Sequence, residues 1–200
     1  MNKLILDLLE KLQFEEKITY KNITLKPFLF RNGNKLKYIC IDDALNNNYI
    51  EIKEVSEGGS VPELFFVNNS DERVLLLDGE ELIGAKQNRV LNATILVDKR
   101  VKTNIPVSCV EQSRWKYKES KFSSSGNSMP SFSKSSKMRF ISQSLKIDDR
   151  MEFRANQSQV WDDVERVSRA TGTKSSTDAL SDVFEKKSDD IQGYIDNLKY

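Results

Sequence analysis

The chain has 200 residues, of which 31 are Lys or Arg and 30 are Asp or Glu, and it contains no His. This length is sufficient for one large domain or for a domain with an added helical part. The charge balance excludes a general attraction to nucleic acid or membrane, and the lack of His removes the most frequent general base and metal ligand.

Cysteine usage and hydropathy indicate a reducing, aqueous environment. Cys40 and Cys109 are far apart and form no CxxC motif, so neither a zinc site nor a disulfide framework is predicted. Asp7 and Glu10 interrupt the apolar start of the chain, and no run reaches the roughly 18 apolar residues of a membrane span. We therefore expect a cytoplasmic protein with no membrane partner, no metal and no cofactor.

The first part of the chain predicts a short helix followed by strands. Apolar residues between positions 4 and 12 recur at helical spacing behind Asn2, which is a suitable N-cap. Residues 18–30 are typical of two β segments around a turn at Lys21-Asn22. A further turn is predicted at residues 31–34, where the sequence is RNGN.

Later strands follow from alternation and turn signals. Tyr49–Val55 alternates apolar and charged residues, which predicts a strand with its acidic side chains in solvent. Asp78-Gly79 between two apolar runs predicts a hairpin. Val90–Val97 is predicted as one long strand, paired with Ile105–Val110. Together these features predict a mostly antiparallel β sandwich or roll over about residues 18–115.

The composition changes abruptly after Trp115. Residues 116–138 are rich in Ser and Lys and poor in apolar side chains, which is typical of a loop without fixed structure. Lysines alternate there with phenylalanines, as in an arm that binds single-stranded nucleic acid. Solvation of a loop explains the lysines without such a partner, and we do not expect nucleic acid as a ligand.

Residues 139–200 are predicted to be helical. One helix covers Gln159–Arg169, with Asn156 as its cap and Thr171-Gly172-Thr173 as its end. Apolar positions from Leu180 to Leu198 trace a second. The predicted fold class is therefore α+β. Its parts are a β-rich domain with a short N-terminal helix (1–115), the Ser/Lys-rich loop (116–138), and a C-terminal pair of helices packed on the β domain (139–200).

Two stretches combine β-like apolar runs with many charged and amide groups. They are DGEELIGAKQNRVLN, residues 78–92, and IPVSCVEQSRW, residues 105–115. One face of an extended stretch is buried here, and a buried charge without a partner is costly. Lys86 and Arg89 must therefore meet either a glutamate of the protein or an anion of a ligand.

Both alternatives remain open from the residues alone. If the cations bind a ligand, they donate to phosphate or carboxylate, the amides bind hydroxyls or a base edge, and the indole stacks on a base. The predicted ligand-binding residues are Lys86, Gln87, Asn88, Arg89, Asn92, Arg114 and Trp115. The alternative for Trp115 is that its indole closes the core at a strand end.

Catalysis would depend on carboxylates, because the chain has no His to activate a nucleophile such as Cys109. The candidate acid–base residues, if the protein is an enzyme, are Glu80, Glu81 and Glu111. A carboxylate pair at a suitable separation can cleave a glycosidic or N-glycosidic bond. A different class of function is a scaffold whose terminal helices dock a protein partner, and the sequence leaves a homo-oligomer open.

The same stretches resemble a bacterial family, the ADP-ribosylglycohydrolase and rhodanese-phosphatase-superfamily-associated proteins. The resemblance rests on GAKQNR (84–89), IPVSCVEQxRW (105–115), QVW (159–161) and a Ser/Thr-rich helix start (174–177), and it runs from about Ile23 to near the end. The positions that match the motif are Lys86, Gln87, Asn88, Arg89, Asn92, Glu111, Arg114 and Trp115.

The resemblance implies a ligand class, because the family name records gene neighbours in NAD-consuming and ADP-ribose pathways. The expected function is binding of an NAD-derived or ADP-ribose-containing nucleotide, including a signalling nucleotide, in a cationic, amide-lined pocket. Hydrolysis of that nucleotide by the glutamates and the scaffold role are the alternatives, with binding favoured. The resemblance also implies relatives that continue beyond the last helix predicted here.

Overall fold

The computed structural model describes residues 3–30, 36–147 and 152–199. The turn predicted at residues 31–34 and the cap predicted at Asn2 lie outside these ranges. The chain forms two compact units, one of residues 1–36 with 187–200 and the other of residues 37–186.

The helices and strands have the following bounds. The helices are α1 (Lys3–Leu9), α2 (Ile41–Asn46), α3 (Ser131–Ile147), α4 (Gln157–Thr171), α5 (Leu180–Lys186) and α6 (Ser188–Asn197). The strands are β1 (Leu12–Phe14), β2 (Ile18–Tyr20), β3 (Ile23–Leu25), β4 (Phe28–Phe30), β5 (Ile39–Cys40), β6 (Ile50–Glu54), β7 (Glu63–Asn68), β8 (Val74–Leu76), β9 (Glu80–Gly84), β10 (Arg89–Leu91), β11 (Ile95–Val97), β12 (Lys102–Cys109) and β13 (Phe122–Ser128).

The smaller unit contains α1, β1 to β4 and α6. β1 pairs antiparallel with β4, and β2 pairs antiparallel with β3. Lys21 occupies the turn between β2 and β3 with a φ of 47°. The ring of Tyr20 meets the ring of Tyr194 on α6 edge to face at 5.3 Å. The predicted N-terminal helix and the predicted turn at Lys21-Asn22 are confirmed.

The larger unit is built on a six-stranded antiparallel sheet with the order β13-β9-β10-β12-β7-β6. Its outer strands, β13 and β6, approach each other. Lys121, just before β13, lies with its Nζ 3.2 Å from Oε1 of Glu51 on β6. The sheet therefore curls on itself and encloses an inner face.

The inner face carries the main hydrophobic core. Its largest fully buried members are Ile52, Leu64, Phe66, Leu82, Leu91 and Ile105. A second sheet, β11-β8-β5, and helix α2 pack onto the same core. Each fully buried aliphatic side chain of this size contributes roughly 1.5–3 kcal/mol to folding, so this core fixes the curl of the sheet.

The outer face of β10 and β12 is covered by α4 and α5. Val90 and Val110 pack there against Val160, Val164 and Leu180. Helix α4 begins behind Asn156, whose side chain accepts a hydrogen bond from the N–H of Gln159, and ends at Gly172 in the left-handed region. The predicted cap and the predicted end of this helix are both confirmed.

The α+β class with mostly antiparallel sheets is confirmed, but two strand predictions are wrong. Asp78-Gly79 does not form a hairpin, because β8 pairs with β11 and β5 while β9 pairs with β10 and β13. The turn instead carries the chain from one sheet to the other. For the same reason the predicted strand Val90–Val97 is interrupted at residues 92–94, although β10 pairs with β12 as expected.

The predicted Ser/Lys-rich loop is also wrong over much of its length, since it contains β13 and the start of α3. The backbone of β13 pairs with β9, and Phe122, Met129 and Lys137 are buried. Lys137 binds the carboxylate of Asp78 and the carbonyl oxygen of Leu91. Backbone pairing and one buried ion pair thus order a segment whose composition is poor in apolar residues.

The C-terminal region contains more helices than the predicted pair, because α3 extends into it as far as Ile147. The apolar positions predicted as one helix belong to two, α5 and α6, which fall in different units. Across the described ranges, no helix combines the length and the hydropathy needed to cross a membrane.

Candidate functional site

The turn between β9 and β10 places the motif residues. Gly84 and Ala85 both have positive φ, 128° and 38°, so the chain reverses tightly after β9. A Cβ at Gly84 would lie 2.5 Å from the carbonyl oxygen of Lys121, so this position requires glycine. On β10, Arg89 stands opposite Cys109 and points to the inner face of the sheet, while Val90 points to the outer face.

Four polar side chains meet at one end of the inner face, and we call Glu54, Gln87, Arg89 and Cys109 the inner polar cluster. The Nη1 of Arg89 donates to Oε1 of Gln87 at 2.8 Å, and the thiol of Cys109 donates to the same oxygen at 3.0 Å. Burial raises the pKa of the Cys109 thiol, which therefore stays protonated near neutral pH.

The ionic pair of this cluster is incompletely hydrogen-bonded. Oε1 of Glu54 lies 3.7 Å from Nη2 of Arg89, beyond hydrogen-bond distance, although the two side chains are 3% and 0% exposed. Within the described residues, Nε and Nη2 of Arg89 and both carboxylate oxygens of Glu54 have no hydrogen-bond partner. Buried polar atoms are normally paired, so the cluster has unused binding capacity.

The inner polar cluster is covered by Gly59, Lys86 and Trp115, which we call the cover. The Trp115 ring centroid is 5.7 Å from Cζ of Arg89 and 5.4 Å from Nζ of Lys86. Gly59 lies directly on the cluster, since a Cβ there would be 3.3 Å from Trp115 and 3.4 Å from Oε2 of Glu54. The indole is 48% exposed, so one face of the cover meets solvent.

Lys86 holds the loop that carries Gly59. Its Nζ donates to the carbonyl oxygens of Glu57 at 2.5 Å and Gly58 at 3.0 Å. Both acceptors are neutral, and an anion is a stronger partner for an ammonium group. Lys86 is therefore the cation of the motif that can exchange its present contacts for those of a ligand.

Arg114 is fully engaged within the protein. Its Nε and Nη2 donate to the two carboxylate oxygens of Glu111 at 2.8 and 2.7 Å. Its remaining N–H groups reach the carbonyl oxygens of Gly84, Ala85 and Lys116. Arg114 thus fixes the turn before β10 and retains no free donor for a ligand in this conformation.

Glu111 completes this second network. Burial acts to raise the pKa of its carboxyl, but hydrogen bonds from Arg114 and from the N–H of Asn88 hold the pKa below its usual value. The side chain of Asn88 joins the turn to α5 by donating to Oγ of Ser181 at 3.1 Å.

Asn92 lies apart from the inner polar cluster. It accepts a hydrogen bond from Oγ of Ser108 at 2.8 Å and donates to the carbonyl oxygen of Phe153 at 3.0 Å. These contacts attach the segment before α4 to β10.

Glu80 and Glu81 also lie apart from the cluster. Burial raises the pKa of Glu80, whose carboxylate accepts from the N–H of Leu77. Glu81 pairs with Val90 across the sheet and so points to the outer face, opposite to Arg89. Burial raises the pKa of Glu81 to about 7, with only partial relief from Ser125 and the backbone of Ser181.

This raised pKa predicts a stability that falls with increasing pH. Below about 4.5 both folded and unfolded Glu81 are protonated, and between 4.5 and about 7 only the unfolded form ionises, which favours unfolding. The full effect is roughly 3 kcal/mol. We expect the unmodified protein to lose stability relative to Glu81→Gln as pH rises from 4.5 to 8. Its unfolding free energy, measured by urea titration at each pH, should approach that of the variant or fall below it. A difference between the two proteins that is constant over this range would contradict the prediction.

The structure thus brings four of the seven predicted ligand-binding residues together, namely Lys86, Gln87, Arg89 and Trp115. Two residues of this site, Glu54 and Gly59, are not among the residues predicted to bind a ligand. Glu54 was predicted in solvent, but Ile50, Ile52 and Glu54 lie on the same buried face of β6. That spacing of two residues is the signal from which its burial follows.

A separate cleft of about 740 Å³ lies beside α4. It is lined by Gln112, Trp161, Arg169, Lys174, Ser175 and Asp178 among others, and by none of the seven predicted ligand-binding residues. Trp161 partly offsets the rise that burial causes in the pKa of the Cys109 thiol. In the part of the chain that is described, no group of three or more Cys, Asp or Glu side chains is arranged to hold a metal ion.

The fold and the site define an α+β protein with a curled antiparallel sheet and a covered polar cluster on its inner face. The sequence model of one family, the ARG and Rhodanese-Phosphatase-superfamily-associated Protein domain (ARPP-1), matches residues 11–200, and the chain belongs to this family. No curated protein and no solved structure matches the chain.

Proposed function

We propose that this protein binds an NAD-derived or ADP-ribose-containing nucleotide at the inner polar cluster and its cover. The observation that carries the proposal is the unmet hydrogen-bonding capacity of Arg89 and Glu54 directly beneath Lys86 and Trp115. The choice of nucleotide rests on the family, whose description associates the domain with ARG, the ADP-ribosylglycohydrolases of the sequence resemblance.

The cover supplies the two kinds of contact that a nucleotide needs. The ammonium of Lys86 is suited to a phosphate, and the half-exposed ring of Trp115 is suited to stacking on a base or nicotinamide ring. A phosphate at Lys86 would replace the carbonyl oxygens of Glu57 and Gly58. The loop that carries Gly59 would then be released, which gives a ligand a route to the buried Arg89.

Substitutions in the cover test this proposal. In calorimetric titrations with ADP-ribose and with NAD, Lys86→Ala and Trp115→Ala are each expected to weaken binding about tenfold or more, because a charge-assisted contact or a stacked ring is lost. Both side chains lie at the surface, so the variants are expected to fold. The matched control is Lys118→Ala, an exposed lysine of the same segment, which is expected to bind as the unmodified protein does.

Two outcomes would contradict the proposal. If neither nucleotide gives a heat of binding, the proposal is refuted. Binding that survives the cover substitutions but is lost in Lys174→Ala would place the ligand in the cleft beside α4 instead.

A second candidate function is hydrolysis of such a nucleotide. It is favoured by one observation, the neighbouring carboxyls of Glu81 and Glu111, whose pKa values are shifted in opposite directions as an acid–base pair requires. Because Glu81 points to the outer face of the sheet, this reaction requires the nucleotide to bind on that face and not at the inner polar cluster. Chromatography of the titration mixtures separates the two functions. Product that appears with time, and that Glu81→Gln abolishes without loss of binding, would assign the protein as an enzyme.

A further inference from the structure

The inner polar cluster places unused acceptors beside unused donors, and this arrangement indicates which part of a ligand it receives. We propose that Glu54 and Arg89 bind a planar edge in which an N–H donor stands next to a carbonyl oxygen or ring nitrogen. A carboxamide and a purine base both carry such an edge. The inference rests on the proposed nucleotide-binding function and specifies the group that is recognised.

The carboxylate of Glu54 provides the acceptors. Its oxygens are buried and, among the described residues, receive no hydrogen bond. An ionised carboxylate can only accept hydrogen bonds, so its ligand group must carry N–H or O–H. A ligand carboxylate at this position would bring two negative charges together in a buried site, which is strongly unfavourable.

Arg89 provides the donors from one edge of its guanidinium. Nη1 is already bound to Oε1 of Gln87, which fixes the orientation of the group. Nε and Nη2 form the adjacent edge, and within the described ranges neither has an acceptor. An edge of this kind donates two roughly parallel hydrogen bonds and is suited to a carbonyl oxygen or a ring nitrogen.

Trp115 and Gly59 favour a flat group. The Trp115 ring lies 5.7 Å from Cζ of Arg89, so a planar group beside the guanidinium can also stack on the indole. Gly59 approaches the indole and Glu54 so closely that a Cβ at this position would be in tight contact with both, at 3.3 and 3.4 Å. A planar group that stacks on the indole beside Arg89 therefore fits this position better than a branched one.

A pair of ligands that differ only in this edge provides the test. Nicotinamide mononucleotide carries a carboxamide where nicotinic acid mononucleotide carries a carboxylate. Calorimetry with the unmodified protein is expected to show roughly 10- to 100-fold tighter binding of the carboxamide, the ratio for a charge-assisted hydrogen bond to a buried group. Glu54→Gln, which can donate to a carboxylate, is expected to bring the two affinities close together.

A second pair tests a purine as the source of the edge. ADP-ribose has an amino group at the position where its counterpart with an unsubstituted purine carries only hydrogen, so the counterpart lacks the N–H donor of this edge. A preference for ADP-ribose that Glu54→Gln removes would support the same edge, with the base rather than the nicotinamide at the cluster. Near-ultraviolet circular dichroism of Glu54→Gln checks its fold, and the comparisons with the unmodified protein do not depend on any variant.

The remaining outcomes separate this inference from the proposed function. Equal affinity within both pairs would overturn the recognition of a donor–acceptor edge while leaving nucleotide binding in place. The absence of binding by all four compounds and by NAD would overturn the proposed function and this inference with it.

Discussion

Replacing Arg114 with methionine is expected to destabilise the larger unit by about 3–5 kcal/mol, the usual cost of removing one partner from a buried ion pair. The guanidinium and the Glu111 carboxylate are 9% and 7% exposed and make two short hydrogen bonds. The substitution leaves this carboxylate buried without its cation and leaves the carbonyl oxygens of Gly84 and Ala85 without a donor. The midpoint of urea unfolding is the measurement.

The chain offers a matched control for Arg114→Met. Arg100 makes the same bidentate pair with Asp71, at 2.9 and 2.7 Å, but both side chains are mostly exposed. Surface pairs contribute little because water and salt screen them, so Arg100→Met is expected to leave the midpoint within experimental error. Equal effects of the two substitutions would show that burial of the Arg114 pair is not the source of its stability. If Arg114→Met does not fold, adding Glu111→Gln is expected to recover the fold by removing the buried charge.

The elements that could be predicted are those whose signals are local. The cap of α4 at Asn156 and its end at Gly172 follow from side-chain and backbone preferences within one turn of helix. The pairing of β10 with β12 follows from two successive β-like runs in the sequence, Val90–Val97 and Ile105–Val110. These features depend on neighbouring residues, so one sequence contains the information that they need.

The elements that could not be predicted depend on partners far away in the chain. β13 has little apolar content and is ordered because β9, about 40 residues earlier, supplies its hydrogen bonds. Asp78-Gly79 has the composition of a hairpin turn, but Lys137 on α3 binds Asp78 and β8 pairs with other strands. Neither the backbone pairing nor the ion pair leaves a pattern within the segment itself.

The residue types of the candidate site could be predicted, but not which of its charged residues are paired within the protein. The sequence indicates that a buried Lys86 or Arg89 needs an anionic partner, but it does not indicate whether that partner is a glutamate or a ligand. The structure pairs Arg114 with Glu111 completely, whereas it leaves Arg89 and Glu54 with unused atoms. The nitrogen–oxygen distance is 2.7 Å between Arg114 and Glu111 but 3.7 Å between Arg89 and Glu54. No sequence pattern encodes a difference of this size.

The atoms of Arg89 and Glu54 that have no hydrogen-bond partner lead to the second large expected effect. Two substitutions that each destabilise the protein are expected to restore its stability when they are combined. Arg89→Met and Glu54→Leu are each expected to cost about 3–5 kcal/mol, because each leaves the other charge buried alone. The double variant replaces the incomplete ion pair with apolar side chains of similar size. Its unfolding free energy is expected to match that of the unmodified protein or exceed it by about 1–4 kcal/mol.

A urea-unfolding cycle of the unmodified protein, both single variants and the double variant measures this coupling. The double variant is also expected to lose nucleotide binding, since the atoms proposed to receive the ligand are gone. Greater stability with lost binding would mean that Glu54 and Arg89 are retained for a ligand, at the expense of the fold. A double variant as unstable as the sum of the two single variants would instead show that Glu54 and Arg89 stabilise the fold through separate contacts, and it would remove the main support for a ligand at this end of the sheet.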